Sequence, residues 1–155
     1  MALTSKELQI QLDRLLKLES NVTFQFSMIS KLMDHHALEL LNDTSLNLTS
    51  YRLLKTVETF ESISIADLSR HMVTDNAQIS RTATELGRKE LVEFRADPKT
   101  KRKKLVVLSA QGKELMEKLA PRFAARRKDM EICLGKETLD ALFPAFEKLV
   151  EHFSK

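Results

Sequence analysis

The residues best suited to recognition chemistry in this chain lie between positions 75 and 86. Asp75 followed by Gln78 is typical of a helix N-terminus. Ile79, Ala83 and Leu86 then recur at helical spacing and predict one buried face. A helix face that only needs to be soluble would normally carry Lys and Glu pairs. The exposed face of this predicted helix instead carries short or planar hydrogen-bonding side chains, which are suited to contact base edges and phosphates. They are Asn76, Gln78, Ser80, Arg81 and Thr84.

A run of positive charge follows, because five of the six residues from Lys99 to Lys104 are basic. The whole chain has a net charge of only +3, but the segment from Asn76 to Leu108 holds nine Lys or Arg against four acidic residues. Such a local concentration of charge is typical of a protein that binds nucleic acid. A basic run by itself is often only a solvated loop, so for this run taken alone both interpretations stay open.

A second group of titratable residues is Asp34, His35, His36 and Glu39. The zinc-peptidase spacing of two His four residues apart around an acid is absent, and no His or Cys lies nearby in sequence to complete a metal site. We expect a polar helix surface here. The chain also has no Gly-rich phosphate loop and no ordered set of nucleophile and base. We therefore expect no enzyme activity, no metal and no cofactor.

The composition limits the size of the protein core and the kind of partner. A chain of 155 residues with 43% hydrophobic residues can bury one core, so one domain is expected. The chain has no Trp and one Tyr, which is a poor basis for stacking single-stranded bases. Duplex DNA is therefore the favoured partner.

The chain shows no sign of export or membrane insertion. Its first residues lack the basic start and apolar core of a secretion signal, and the longest uncharged run, Ser20 to Ser30, is too short to span a bilayer. The single cysteine, Cys133, excludes an internal disulfide and fits a reducing compartment; we expect it to be a buried structural thiol. We expect a cytoplasmic, nucleoid-associated protein.

The elements that position the polar residues begin with a long helical segment. Thr4 and Glu7 form a capping-box pattern. Apolar residues at helical spacing continue through the first 41 residues, as one very long helix or as two with an irregularity at Ser20–Asn21. A segment this long exceeds what a small globule can bury alone. Its apolar stripe is therefore expected to pack against a second copy of the chain.

The middle of the chain predicts a helix-turn-helix. After a loop at 42–45, Thr49 is expected to cap one helix, and Ser64 with Asp67 to cap the next. The turn at Val73–Thr74 then leads into the helix that begins after Asp75. Two short helices joined in this way place the second one, the recognition helix, in the major groove.

A β-hairpin is predicted directly after the recognition helix. Leu91–Arg95 alternates apolar and charged residues, Asp97–Thr100 is a turn signal, and Lys104–Leu108 is rich in β-branched residues. A hairpin in this position is a wing, and its basic tip is suited to the phosphate backbone or the minor groove.

Two helices close the chain. Ser109 begins one that Pro121 is expected to kink or restart, and Gly135 separates it from a last helix with an apolar stripe. The fold class is therefore mainly α with a small β-hairpin wing: a winged helix-turn-helix with N- and C-terminal dimerisation helices. We assign residues 1–46 to N-terminal dimerisation, 47–110 to the DNA-binding lobe and 111–155 to C-terminal dimerisation, in one intertwined domain per subunit.

Several short motifs occur in a specific order and spacing: Leu48-Thr49, Ile65-Ala66-Asp67-Leu68-Ser69, Ile79-Ser80-Arg81, Leu91-Val92-Glu93, Arg95-Ala96-Asp97-Pro98, Arg102, Leu105 to Leu108 and Gly112. Together they resemble the MarR family of bacterial winged-helix regulators over nearly the whole chain. The resemblance implies a homodimer that binds a pseudo-palindromic duplex, usually as a repressor, and that is often released by a small phenolic or other aromatic ligand. That ligand would bind between the dimer helices and the DNA-binding lobe, where the candidates are His35, His36, Tyr51 and Arg52.

The chain departs from the family pattern at three places. Where the family usually has a Gly before Leu91, this chain has Glu90, and a Gly stands at Gly87 instead. The recognition helix is therefore expected to end early or to fray. At the wing tip, Thr100-Lys101-Arg102 stands where an Asp followed by two Arg is common, which predicts a less rigid and more basic wing. Thr84 replaces a common acid and is expected to shift the base preference.

The expected DNA contacts differ in role. Ser80 and Arg81 match the family motif and are expected to contact bases or phosphates, whereas Asn76 and Gln78 fit either a contact or a helix cap. Ser64 fits a phosphate contact at a helix N-terminus, although simple capping is the stronger alternative. Arg102 is expected in the minor groove and the wing lysines at phosphates. The full set is Ser64, Asn76, Gln78, Ser80, Arg81, Thr84, Arg95, Lys99, Lys101, Arg102 and Lys103.

Two alternatives stay open beside a ligand-responsive regulator. A sequence-tolerant architectural protein would bind all duplexes alike through their phosphates. A redox-responsive regulator would use Cys133 as its sensor.

Overall fold

The computed structural model describes residues 4–98, 100 and 104–154. The chain forms two compact units, Met1–Leu48 and Thr49–Lys155. The described elements in chain order are α1 (Ser5–Glu19), α2 (Val22–Glu39), α3 (Leu48–Phe60), β1 (Ile63–Ser64), α4 (Ile65–His71), α5 (Asn76–Arg88), β2 (Val92–Ala96), β3 (Lys104–Leu108), α6 (Ala110–Leu134) and α7 (Lys136–Phe153). The expected winged helix-turn-helix fold, mainly α with a small β wing, is confirmed. Within the described ranges, no helix is both long and apolar enough to cross a membrane.

The N-terminal segment forms two helices rather than one. The predicted capping box is present, because the Thr4 hydroxyl accepts from the Glu7 N–H and the Glu7 carboxylate accepts from the Thr4 N–H. The break at Ser20–Asn21 is confirmed as well. Asn21 has an extended backbone, and its side chain caps α2 by accepting from two backbone N–H groups. No residue of α1 is buried.

The second unit contains the helix-turn-helix, in which α4 and α5 pack on each other. Leu68 on α4 is fully buried, as are Ile79, Ala83 and Leu86 on α5. The predicted buried face of the recognition helix is therefore confirmed. Burial of these side chains stabilises the lobe, at about 1.5–3 kcal/mol for each large one relative to exposure.

The two predicted caps of this region have different outcomes. Ser64 caps α4, because its hydroxyl oxygen accepts from the Asp67 N–H at 3.2 Å. Thr49 does not precede α3 as a cap, because the helix begins at Leu48 and Thr49 lies in its first turn. That prediction was wrong by two positions, within the usual uncertainty of about one or two residues at a helix end.

The wing contains one strand that the sequence did not predict. β2 and β3 pair antiparallel, with Val92 opposite Leu108 at the base of the hairpin, which confirms the hairpin. β1 pairs antiparallel with the other edge of β3, with Ile63 opposite Val106, so the strand order is β1-β3-β2. A strand of two residues has no periodicity in the sequence, and only its hydrogen bonds to β3 identify it.

The C-terminal helices exclude one of the two alternatives at Pro121 and correct the expectation for Cys133. α6 passes through Pro121 as one helix and does not restart there, and it ends as predicted at Gly135, which has φ 73°. Cys133 is exposed, so the expectation of a buried thiol was wrong. The physical reason is its place on α6: the buried residues of that helix lie at 112, 116 and 119, and its C-terminal half has none.

Candidate nucleic-acid interface

The start of α5 positions its polar face. The Asp75 carboxylate accepts hydrogen bonds from the N–H groups of Ala77 at 2.8 Å and Gln78 at 3.1 Å. Asp75 thus supplies the side-chain cap, so that role does not require the side chains of Asn76 and Gln78, which are exposed. Because the opposite face of α5 is fully buried, rotation of the helix about its axis is prevented and the polar side chains have a fixed direction.

The exposed face of α5 carries hydroxyl, amide and guanidinium groups. Ser80, Arg81 and Thr84 are exposed, and Arg81 forms no ion pair with a described residue. The Thr84 hydroxyl donates to the Ser80 carbonyl oxygen at 2.8 Å, and the Thr82 hydroxyl donates to the Gln78 carbonyl oxygen at 3.0 Å. These bonds fix the two threonine rotamers and leave their oxygen lone pairs free to accept. The face therefore offers donors and acceptors without a competing carboxylate on Arg81.

The C-terminal end of α5 differs from the sequence expectation. The helix extends through Gly87 to Arg88 and does not end early. Glu90 adopts the left-handed conformation, with φ 58°. Its N–H donates to the Gly87 carbonyl at 3.0 Å, and the Leu91 N–H donates to the Leu86 carbonyl at 3.0 Å. This is a Schellman cap, with Glu90 in a left-handed conformation that Gly would adopt without strain.

Gly87 has a packing role within α5. A Cβ atom added there would lie 3.2 Å from Cε2 of Phe94 on β2, so the absence of a side chain lets the Phe94 ring approach the helix. The recognition helix and the wing are thus packed directly on each other at this point.

A second contact fixes the start of the wing. The Ser109 hydroxyl donates to the Glu90 carbonyl, and the Ser109 N–H donates to the Leu91 carbonyl at 3.2 Å. The first turn of α6 approaches so closely that a Cβ on Gly112 would lie 2.1 Å from the Leu91 carbonyl oxygen. Only Gly fits there, so the end of α5, the start of β2 and the start of α6 form one rigid junction.

The described part of the wing includes two of its basic side chains, Arg95 and Lys104. Arg95 on β2 is exposed, but its Nη2 lies 3.0 Å from Oε2 of Glu93. Lys104 on β3 is exposed. The remaining predicted wing contacts, Lys99, Lys101, Arg102 and Lys103, lie outside the described residues.

Ser64 lies inside the lobe, with 2% of its surface exposed. Its hydroxyl donates to the Asp67 carboxylate and accepts from the Asp67 N–H. Both functions of the hydroxyl are used within the cap, so the contacts of Ser64 favour the capping role over the phosphate contact.

The candidate ligand residues are divided between the two units. His35 and His36 are exposed on α2, where Nδ1 of His35 lies 3.5 Å from Oε1 of Glu39. Among the residues that the structure describes, no three His, Cys, Asp or Glu side chains are arranged to hold a metal ion.

Tyr51 and Arg52 lie on α3 in the second unit. The Tyr51 ring stacks on Phe123 with centroids 4.0 Å apart and 13° between planes. Burial raises the pKa of Tyr51, Glu58 raises it further, and Arg126 opposes the shift. Tyr51 is half-buried and Arg52 exposed. The Tyr51 ring is therefore held in place by Phe123 while part of its surface stays accessible.

The helix-turn-helix, the three-stranded wing and the polar face of α5 define the winged-helix DNA-binding fold of transcription regulators. Residues 46–104 match the family model described as MarR family. The match covers the helix-turn-helix and the wing up to the start of β3, where most of the motifs that carry the resemblance lie, and it confirms the resemblance over these residues.

Solved structures share the fold over most of the chain. A MarR family transcriptional regulator from Silicibacter pomeroyi DSS is 17% identical, with 89% of this chain and 92% of that chain covered and a TM-score of 0.79. A MarR/EmrR family transcriptional regulator from Acinetobacter sp. ADP1 is 23% identical, with 88% of this chain and 97% of that chain covered and a TM-score of 0.79. Bordetella bronchiseptica BpsR, whose DNA binding is regulated by 6-hydroxynicotinic acid, is 18% identical, with 84% of this chain and 93% of that chain covered and a TM-score of 0.73. Identities this low show a shared fold alone, and no curated protein sequence is significantly similar to this chain.

Proposed function

We propose that this protein is a dimeric, sequence-specific regulator of transcription that reads double-stranded DNA with the exposed face of α5. The observation that carries the proposal is that α5 has a fully buried apolar face and, opposite to it, an exposed polar face. Ile79, Ala83 and Leu86 anchor α5 in the core, while the opposite face presents Arg81 without a described ion-pair partner. A rigid helix with exposed guanidinium, amide and hydroxyl groups is what readout of base edges requires.

The contacts divide into reading and positioning groups. Ser80 and Arg81 contact bases or phosphates, and Asn76, Gln78 and Thr84 add hydrogen bonds along the same face. Phosphate contacts position the protein without reading sequence. We assign that role to the wing, where the cations are Arg95, Lys99, Lys101, Arg102 and Lys103.

The terminal helices support a homodimer. Leu8, Leu12 and Leu15 recur at helical spacing on α1, and all three are about half exposed. On α7, Phe143, Val150 and Phe153 are more exposed still. Apolar surface of this extent is typical of an interface rather than of a monomer. In a two-fold symmetric dimer, the two α5 helices would read half-sites about one helical turn apart, and hence a pseudo-palindrome.

A small aromatic or phenolic ligand is proposed to relieve repression. The support comes from the partly accessible Tyr51 ring beside Phe123 and from BpsR, in which 6-hydroxynicotinic acid regulates DNA binding. Tyr51, Arg52, His35 and His36 are the proposed ligand contacts. A protein of this kind acts on the nucleoid in the cytoplasm.

The test is selection of duplexes from a random pool by the full-length protein, followed by binding measurements with Arg81→Ala. We expect the wild type to enrich a palindrome with half-sites about 10 base pairs apart. Arg81→Ala should weaken binding to that duplex by about 1–3 kcal/mol and binding to a random duplex much less. Equal losses on both duplexes would instead support the architectural protein.

The wing is tested by the salt dependence of the same binding. Lys101→Ala and Lys103→Ala should each reduce the slope of log K against log salt by about 0.9. Lys148→Ala on α7 removes an exposed charge elsewhere and serves as the control. An unchanged slope for both wing variants would remove these lysines from the interface.

A further inference from the structure

The turn between α4 and α5 holds one residue in an unusual conformation. Val73 has φ 49° and 93% of its surface is exposed. Among the described residues, Glu61 and Glu90 also have positive φ without being Gly, but both are unbranched and polar. A β-branched residue in the left-handed region is a clear outlier, because its side chain crowds the backbone.

The surrounding turn enforces this conformation. The Thr74 N–H donates to the Ser69 carbonyl at 3.0 Å, and the Ser69 hydroxyl donates back to the Thr74 carbonyl. The Thr74 hydroxyl also donates to the Met72 carbonyl at 2.9 Å. These bonds flank Val73 on both sides and determine its backbone. A Gly at this position would form the same turn without strain.

The Val73 side chain contributes nothing to the fold that would offset its strain. It is almost fully exposed, so it gains no burial, and an isopropyl group forms no hydrogen bonds. Strained residues that the surrounding structure maintains cluster at functional sites. The position of Val73 indicates which site, because it precedes the Asp75 cap by two residues and so lies at the N-terminus of the recognition helix.

We propose that Val73 is a specificity-determining residue whose isopropyl group contacts the C5-methyl group of a thymine in the major groove. The inference rests on the proposed function, reading of duplex DNA by α5. Val73 is an almost fully exposed apolar side chain two residues before the cap of the recognition helix, so its natural partner in the groove would be another apolar group. On the major-groove edge of the base pairs, the thymine methyl is that group. Asn76 and Gln78 would hydrogen-bond neighbouring edges, and Val73 would distinguish thymine by its methyl.

The experiment removes that methyl alone. The duplex is the one that the wild-type full-length protein selects from a random pool, and each thymine of a half-site is replaced in turn by uracil. At one position, uracil should weaken wild-type binding roughly three- to fivefold per half-site, the effect of one lost methyl burial. The same replacement should leave Val73→Ala and Val73→Gly unaffected, and both variants should bind the all-thymine duplex more weakly than the wild type by a similar factor.

Comparison of the two variants distinguishes the effect of losing the Val73 side chain from the effect of changing the backbone of the turn. Val73→Gly removes the backbone strain and should raise the melting temperature, whereas Val73→Ala retains the left-handed conformation of a residue with a Cβ. If only Val73→Gly loses DNA affinity, the stiffness of the turn is responsible and the proposed contact is wrong.

The remaining outcomes are equally decisive. A uracil effect of equal size in all three proteins, or none in the wild type, overturns the proposed contact while DNA reading by α5 stands. If the wild type selects no duplex at all, the proposed function fails and the contact fails with it.

Discussion

The recognition helix α5 and the N-terminal helix α1 are similar in local design and opposite in burial. Both are amphipathic helices with a side-chain N-cap, Asp75 for α5 and Thr4 for α1. α5 has three residues with no exposed surface, whereas α1 buries none and exposes a stripe of leucines. The capping residues and apolar periodicity of a sequence favour a helix. They do not determine what covers its apolar face.

The C-terminal helix α7 shares the property of α1, since none of its residues is buried. The winged lobe completes its own core, while both terminal helices leave apolar faces uncovered. The contrast predicts that substitutions in the terminal helices change assembly, and that substitutions in the lobe change the stability of the folded chain. Three measurements test this division, in order of decreasing expected effect.

The largest effect is expected for Leu15→Glu on α1. In the proposed dimer the substitution introduces two carboxylates into the interface and removes two buried leucines, each worth about 1.5–3 kcal/mol. We expect dimerisation to weaken by about 3 kcal/mol or more, measured by sedimentation equilibrium. Lys17→Glu on the other side of α1 is the control and should leave the dissociation constant nearly unchanged. Equal association of Leu15→Glu and wild type would show that this stripe is not the interface.

The second effect is expected within the lobe, for Gly112→Ala. The added Cβ would lie 2.1 Å from the Leu91 carbonyl oxygen, and backbone cannot move aside as a flexible side chain can. We expect the free energy of unfolding in urea to fall by about 1–3 kcal/mol.

Gly87→Ala is the matched control for Gly112→Ala. Its Cβ would come closer than ordinary contact only to the Phe94 ring, which is 43% exposed and can shift, and Ala favours the helix by up to about 1 kcal/mol. Its stability should therefore stay equal or rise. A loss in Gly87→Ala as large as in Gly112→Ala would refute the assignment of the tight junction to Gly112.

The smallest effect is expected for Glu90→Gly at the end of α5. Glu90 has φ 58° in the Schellman cap, and Gly adopts that conformation without the strain of a Cβ. We expect a gain of about 0.5–1 kcal/mol in the free energy of unfolding. Glu90→Ala removes the same charge but retains the strain, so a comparable gain in that variant would show that charge, not conformation, limits stability.

Local patterns predicted much of this protein correctly. The Thr4 and Ser64 caps, the buried face of α5, the β2–β3 hairpin and the helix end at Gly135 all depend on residues close together in sequence. Interactions of this kind involve short loops and few alternatives, so residue type and spacing identify them.

The features that were missed depend on distant residues. β1 exists because Ile63 meets Val106 across the sheet, and Cys133 is exposed because the buried part of α6 ends well before it. In the candidate site, the polar residues of α5 were predicted by type, but Val73 was treated only as part of a turn. A valine in a turn has no sequence signal that reveals its φ or its exposure.

The sequence by itself therefore determined the helices, the hairpin, the basic middle of the chain and the MarR-family motifs, because each follows from residue type and short spacing. Only the tertiary structure decided where α5 ends and which residues around it are strained. The reason is that the backbone at Glu90 is fixed by the helix cap and by a hydrogen bond from Ser109 at the N-terminus of α6, and that at Val73 by the Ser69–Thr74 hydrogen bonds of the folded turn. These bonds oppose the intrinsic preferences of both residues.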